Sequence, residues 1–285
     1  MSATLDLLIE LLDVKQLDEN VYEGMTLDGS LPRVFGGLVA GQALNAASKT
    51  VSAGKIPISI RSEFLRPGRP GESIRYEIER SRDSRAFSNR RVSACQAGRL
   101  IFEMQASYHH PEAGLSHQYD APRSIAPLDT PRIATLAALS PDEWPSLYRD
   151  WESMEIRYVP KKHIAGEATD TGVASHSQVW LRTNGPVHGG QALHSSILAC
   201  ASDLTLLSVS LVPHGVSHAH PGFLVASLDH CLWFHREFRM DEWLLYDQTS
   251  PSAHAGRSIC HGRFFTEGGL HVATVMQEGL VRRVG

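Results

Sequence analysis

The segment HGGQALHSSILACASDLTLL at residues 188–207 decides the fold. After the His188-Gly189-Gly190 opening, Ala192, Leu193, Ile197, Leu198, Ala201 and Leu204 cover much of a helical circumference. A helix without a broad polar face must be wrapped by protein on most sides. FGGLVAGQALNAASKT at residues 35–50 repeats the pattern and predicts a second Ala/Leu-rich helix over Leu38–Thr50. An antiparallel sheet curled around each helix meets that demand.

Working outward, each helix sits in the same order of elements: one strand, the helix, then four strands. The first half opens with a short amphipathic helix, Thr4–Val14, capped by Thr4. Strands are predicted over residues 21–27, 58–65, 73–81, 87–95 and 100–108, the last alternating Leu100, Phe102, Met104, Ala106 and Tyr108 on one face. The second half is predicted to place strands over 175–183, 222–234, 243–249, 256–265 and 270–282, with its helix reaching Leu207 or beyond. Gly36-Gly37 aligns with Gly189-Gly190, Phe64-Leu65 with Trp233-Phe234, and Gly98 with Gly269. The offset changes only in loops, by about 16 between helix and next strand, where the second half carries an extra loop, His214–Pro221. Such a pattern marks two long copies of one unit, not a solenoid of short repeats. The expected organisation is a first domain over 1–112, a proline-rich linker over 113–150 with one short helix near Pro141–Asp150, and a second domain over 151–285.

Composition narrows the function. The chain has 285 residues, 42% hydrophobic and 20% charged, enough for two globular cores. A net charge of −4 argues against nucleic acid as the partner. Only five of the 27 basic residues are lysine, and ten arginines lie between Arg61 and Arg99. That cluster either suits phosphate, through paired guanidinium donors, or lines a solvated strand face. Cys95, Cys200, Cys231 and Cys260 form no close pair and read as reduced thiols. The acidic N-terminus has no signal-peptide character, and the apolar run 195–212 is broken by Asp203 and followed by Pro213. The expectation is a cytoplasmic protein with no membrane span. No P-loop, GxSxG, HExxH or GxGxxG motif occurs. His218-Ala219-His220 is the closest approach to a ligand pair and lacks a third ligand, so neither metal nor cofactor is expected.

The two copies differ at three polar positions. Asp203 stands where the first copy has Thr50, Gln277 where it has Ala106, and Ser227 where it has Ile58. Each has a plain reading: a carboxylate at a helix end, a satisfied core amide, a strand hydroxyl. A carboxylate in an apolar helix is costly unless paired, and three polar residues confined to the second copy suggest one site per chain, built there.

Both halves resemble hotdog domains, and the chain is similar to the acyl-CoA thioesterase II family, whose members are double hotdogs. The resemblance rests on VFGG at 34–37 with GQAL at 41–44, FLRPG at 64–68, FSNRR at 87–91, HGG at 188–190, ASD at 201–203, ASLDH at 226–230, WFHR at 233–236, EWLLY at 242–246 and QEG at 277–279, in family order. It implies an α+β fold of two tandem curved antiparallel sheets, each around a long central helix, and hydrolysis of acyl-CoA to fatty acid and CoA. It also implies that Asp203, Ser227 and Gln277 hold the nucleophilic water and that the chain forms a homodimer or larger homo-oligomer. Backbone N–H groups at Gly189 and Gly190 are the expected donors to substrate, and Arg66, Arg90, Arg91 and Arg236 are candidate phosphate contacts. Members commonly carry His and Tyr in the strand before FLRPG, where this chain has Ile58, Arg61 and Glu63; Ser227 stands where Thr is frequent. Two alternatives stay open: a hotdog hydratase or dehydratase using Asp203 with His230 or His194, and a non-catalytic acyl-CoA-binding protein.

Overall fold

The computed structural model describes residues 4–28, 32–140, 152–164, 170, 172–216, 220 and 222–284. Four α-helices are described: α1 (Leu5–Leu12), α2 (Gly36–Ser48), α3 (Ile133–Leu139) and α4 (Gln191–Ser202). The strands are β1 (Lys15–Asp18), β2 (Val21–Gly24), β3 (Ile56–Phe64), β4 (Ile74–Asp83), β5 (Phe87–Gln96), β6 (Arg99–His109), β7 (Met154–Tyr158), β8 (His176–Thr183), β9 (Phe223–Ser227), β10 (Asp229–Phe234), β11 (Leu244–His254), β12 (Arg257–Thr266) and β13 (His271–Arg283). They form a single sheet in the order β1-β2-β4-β5-β6-β3-β10-β13-β12-β11-β8-β7, with β9 pairing β13. The two curved halves are therefore fused edge to edge.

The seam is the pairing of β3 with β10, antiparallel, with Ile60 opposite Leu232, both fully buried. These strands are equivalent in the two copies. Equivalent strands running antiparallel side by side relate the halves by an approximate two-fold axis, so their central helices must also run antiparallel. They do. A Cβ added at Gly37 of α2 would lie 2.3 Å from the Cys200 carbonyl oxygen of α4, and one at Gly41 would lie 2.8 Å from that of Ser196. The two glycines, four residues apart, present one bare face to the facing helix. Ala40, Ala43, Leu44, Ala46 and Ala47 of α2 and Ile197, Leu198 and Ala199 of α4 are fully buried, as the lack of a polar face predicts.

Several elements depart from the sequence reading. Helix α4 stops at Ser202, and a 3-10 turn spans Leu206–His214, so Asp203 is the helix cap and not an interior residue. The strand expected over 222–234 is broken at Leu228 into β9 and β10. Within the expected linker a 3-10 turn (Pro127–Asp129) and α3 appear, and β1 and β7 are further strands that lack a clear alternation. The short helix expected near Pro141–Asp150 lies outside the described residues, as does part of the loop 214–221.

The contact between helices gives a test with an unusual sign. Alanine in place of a helical glycine ordinarily stabilises by about 1 kcal/mol. Gly37→Ala is expected to destabilise instead, because the methyl meets the Cys200 carbonyl and not open space. Urea unfolding of the variant beside wild type reads the sign.

Candidate active site

Asp203 caps the C-terminus of α4 with φ −80° and ψ −9°. A carboxylate there faces the negative end of its own helix, which is unfavourable. Two donors offset this: Ser227 Oγ gives its hydrogen to Asp203 Oδ1 at 2.8 Å, and Gln277 Nε2 donates to the same oxygen at 2.5 Å. The third contribution comes from the first half. A Cβ on Gly36, the first residue of α2, would sit 3.0 Å from Asp203 Oδ2 and 2.8 Å from Phe64 Cε1. Thus Oδ1 is tied down and Oδ2 faces the opening of α2, taking no hydrogen bond from the described residues.

Local irregularity aims Ser227. In β9 it pairs Gly279, while beyond the break Cys231 pairs Met276, so Leu228 is an extra residue against β13. Counting back from buried Phe234, Leu232 and His230 would turn Ser227 away from the helices. The bulge reverses that alternation and brings the hydroxyl to Asp203. Gln277 needs no such device, since it lies on the buried face of β13 with Ala273 and Val275 and is fully buried. Its Oε1 has no hydrogen-bond partner among the described residues.

A cavity of about 410 Å³ opens onto this group. Both halves line it: Val34, Phe35, Gly36 and Phe64 from the first, Asp203, Leu207, Val225 and Ser227 from the second. Gln277 touches Asp203 from behind, outside the lining. The first-turn N–H groups of α2, at Gly36 and Gly37, have no carbonyl partner within their own helix; Leu38 and Val39 are the first to bond back, both to the Phe35 carbonyl. Gly189 and Gly190 do not line this cavity. They precede the far end of α4, twelve residues or about 18 Å from Asp203. The helix opening beside the carboxylate is the one at Gly36, placed there by the two-fold relation between halves. The sequence reading quoted Gly36 for the family pattern and assigned it no role.

Two family models match, "Acyl-CoA thioesterase N-terminal domain" over residues 28–109 and "Acyl-CoA thioesterase" over residues 152–280. Acyl-CoA thioesterase 2 of Haemophilus influenzae is 32% identical over 99% of each chain. Acyl-coenzyme A thioesterase 8 of Homo sapiens is 31% identical, covering 97% of this chain and 89% of that one. The crystal structure of acyl-CoA thioesterase II TesB2 from Mycobacterium marinum superposes with a TM-score of 0.84 at 42% identity, over 98% of this chain and 99% of that one. The chain belongs to the acyl-CoA thioesterase family.

Within this family member, the candidate arginines separate by environment. Arg66 is exposed at the cavity mouth, with Nη1 on the Leu100 carbonyl at 2.7 Å. Arg33, which sequence reasoning missed, also lines the cavity, with Nη2 on the Val225 carbonyl at 2.7 Å. Each guanidinium keeps further donors. Arg91 is paired with Glu103, and Arg236 bonds the His271 carbonyl and the segment after β6, at Ser116 and His117. Arg90 is only 2% exposed and cannot meet a phosphate from solvent. It bonds Thr50 Oγ1 at 2.7 Å, the Thr50 carbonyl at 3.0 Å and Asp83 at 2.9 Å. Thr50 is the counterpart of Asp203, so Arg90 fills in the first copy the place that the second copy keeps for its carboxylate.

The histidines weighed for a hydratase lie elsewhere. His230 is fully buried, its Nε2 2.8 Å from Ser202 Oγ, and burial pushes its pKa down. His194 Nδ1 accepts from the Met240 N–H at 3.0 Å. Neither lines the cavity. Among the described residues no cluster of three or more His, Cys, Asp or Glu is arranged to hold a metal ion. Among the described residues one stretch, Gln191–His214, is long and apolar enough to cross a membrane, and 83% of its apolar window is buried in this fold.

The two arginine environments predict opposite phenotypes. Arg90→Ala should cost on the order of 2 kcal/mol or more in unfolding free energy, because it strips a buried hydrogen-bonded ion, and should leave KM for acyl-CoA within twofold. Arg66→Ala, which removes an exposed cation from the cavity, should raise KM by about fivefold, with little change in denaturant midpoint. Paired urea melts and initial-rate measurements check both.

Proposed function

We propose that this chain hydrolyses acyl-CoA thioesters to free acid and CoA at one site per chain, with Asp203 as the base that draws a proton from the attacking water. The observation that carries this reading is the division of labour on Asp203. One oxygen is held by Ser227 and Gln277, and the other faces both the cavity and the start of α2.

A thioester carbonyl is electrophilic and a thiolate leaves readily, so an oriented water is a sufficient nucleophile. With the acyl chain among Val34, Phe64, Leu207 and Val225, the carbonyl oxygen is directed at the Gly36 and Gly37 N–H groups. Those donors and the positive end of the α2 dipole stabilise the developing oxyanion. Water bonded to Asp203 Oδ2 attacks the carbonyl carbon and its proton passes to Oδ2. The C–O bond forms, the tetrahedral intermediate collapses, the C–S bond breaks, and the proton moves on to the departing thiolate. Ser227 Oγ, its hydrogen committed to Oδ1, keeps lone pairs for a hydrogen of the same water. Gln277, outside the cavity, acts by holding Asp203 in place.

Arg33 and Arg66 at the mouth are assigned to the CoA phosphates. The chain-length preference follows the depth of the cavity. Assembly as a homodimer or larger homo-oligomer and a cytoplasmic location complete the reading; both follow from the family resemblance and the reduced, unpaired thiols.

Thiol release from palmitoyl-CoA and from shorter acyl-CoAs, read with a thiol reagent, tests the assignment. Asp203→Ala should lower kcat by about 100-fold or more, the scale of a general acid–base group. Ser227→Ala should lower kcat by roughly tenfold, and Ser227→Thr should keep most activity because the hydroxyl remains. Binding of acyl-CoA without thiol release by the wild-type chain would replace hydrolysis by simple binding.

A further inference from the structure

Three buried polar atoms lie in file across the centre of the sheet, and each lacks a hydrogen-bond partner among the described residues: Ser62 Oγ on β3, His230 Nδ1 on β10 and Gln277 Oε1 on β13. Ser62 stands opposite His230 in the β3–β10 register. The register Cys231 with Met276 and Leu232 with Val275 continues to set His230 opposite Gln277. Residues directly opposite on antiparallel strands share a face, with Cβ atoms about 4.5–5.5 Å apart. All three side chains are 2% exposed or less. One unpaired buried polar group costs about 1–3 kcal/mol, so three neighbours call for pairing among themselves.

The carboxamide of Gln277 sets the direction. Its Nε2 gives a hydrogen to Asp203 Oδ1, so Oε1 is turned away from the carboxylate and needs a donor. A flipped amide would set one acceptor against another. The candidate donor is the ring beside it. Ser202 Oγ lies 2.8 Å from His230 Nε2 and 3.1 Å from the Ala199 carbonyl, and it has one hydrogen to give. Given to Nε2, that hydrogen leaves the neutral ring with its own proton on Nδ1, in file with Gln277 Oε1. Given to Ala199, it forces the ring proton onto Nε2 and leaves Nδ1 and Oε1 as two adjacent buried acceptors. Burial keeps the ring neutral in either case.

We propose that His230 is a positioning residue of the hydrolytic site: as the Nδ1–H tautomer, anchored by Ser202, it donates to Gln277 Oε1, directly or through one ordered water, and thereby fixes the amide that orients Asp203. This rests on the reading of Asp203 as the base. His230 touches neither cavity nor substrate, and its effect passes through Gln277 alone.

The experiment is a double-mutant cycle on thiol release with His230→Phe, Gln277→Ala and the double variant, beside a long-range 1H–15N spectrum of the histidine rings. His230→Phe should lower kcat by about tenfold with KM within twofold, and the double variant should be no slower than Gln277→Ala. The spectrum should show one neutral Nδ1–H ring that disappears in His230→Phe. Multiplying losses in the double variant, an unchanged kcat in His230→Phe, or an Nε2–H ring would overturn the proposal. Full activity in Gln277→Ala would instead sink the underlying assignment of Asp203 and its partners, which separates the two failures. If His230→Phe does not fold, Ser202→Ala removes the anchor from the other side. It should lower kcat by about threefold, with no further loss when combined with Gln277→Ala; a full multiplicative loss there counts against the role.

Discussion

The antiparallel contact of α2 with α4 is the constraint from which the site follows. Gly37 and Gly41 let the α2 backbone settle against the carbonyls of Cys200 and Ser196. At that separation the first turn of one helix necessarily meets the last turn of the other. An opening turn offers unpaired N–H groups and a closing turn offers unpaired carbonyls, so the junction is polarised before any side chain is added. Placing a carboxylate at the closing end would be unfavourable for an isolated helix. Here the neighbouring positive helix end stands beside it, and the two strand donors take up one oxygen.

A two-fold arrangement generates two such junctions, and this chain treats them differently. At one, Asp203 faces the glycine opening of α2 and a cavity. At the other, Thr50 receives Arg90, a buried guanidinium that fills the space and bonds two oxygens of Thr50 as well as Asp83. The segment after β6 adds to this by running across Arg236 and the start of β13, where Gln118 bonds Gly269 and His271. The frame occurs twice, and side-chain identity leaves one junction open to a cavity and fills the other. Asp203 and Arg90 are the two residues on which that difference turns.

The sequence disclosed some of this and concealed the rest for physical reasons. Helix apolarity and the alternation in β6 were legible because burial on a regular element leaves a period. The Asp203/Thr50 and Gln277/Ala106 contrasts were legible because the copies align without reference to space. What could not be read was which helix opening meets Asp203. The unpaired donors at the start of its own helix favour Gly189-Gly190, yet the β3–β10 seam turns one half against the other and brings Gly36 to Asp203 instead. The bulge at Leu228 was equally hidden: one extra residue leaves no compositional mark, although it alone turns Ser227 toward the carboxylate. Strand β1 is exposed along its length and so carries no alternation to read. Arg33 carries no mark among its neighbours in sequence, since only the fold brings it to the cavity that Arg66 also lines.

In the proposed reaction Ser227, within hydrogen-bond distance of Asp203 and lining the same cavity, is a positioning hydroxyl and not a covalent nucleophile. A serine attacking an acyl group needs a base that takes its proton and later returns one to the leaving group, the task imidazole performs in hydrolases. His230 is buried between the sheet and α4, with Nε2 on Ser202 Oγ, and does not line the cavity. The cysteine of this region, Cys200, is fully buried with its thiol pKa pushed well above the usual value, so it supplies no thiolate. Asp203 Oδ1 already holds the Ser227 hydrogen in a stable bond shared with Gln277, which fixes the hydroxyl as a strut. In the proposed reaction the second carboxylate oxygen, turned toward Gly36 and the cavity, acts on a molecule that arrives from solvent. For a substrate whose leaving group departs as a thiolate, one such oxygen and two backbone donors are sufficient, and no acyl-enzyme is required.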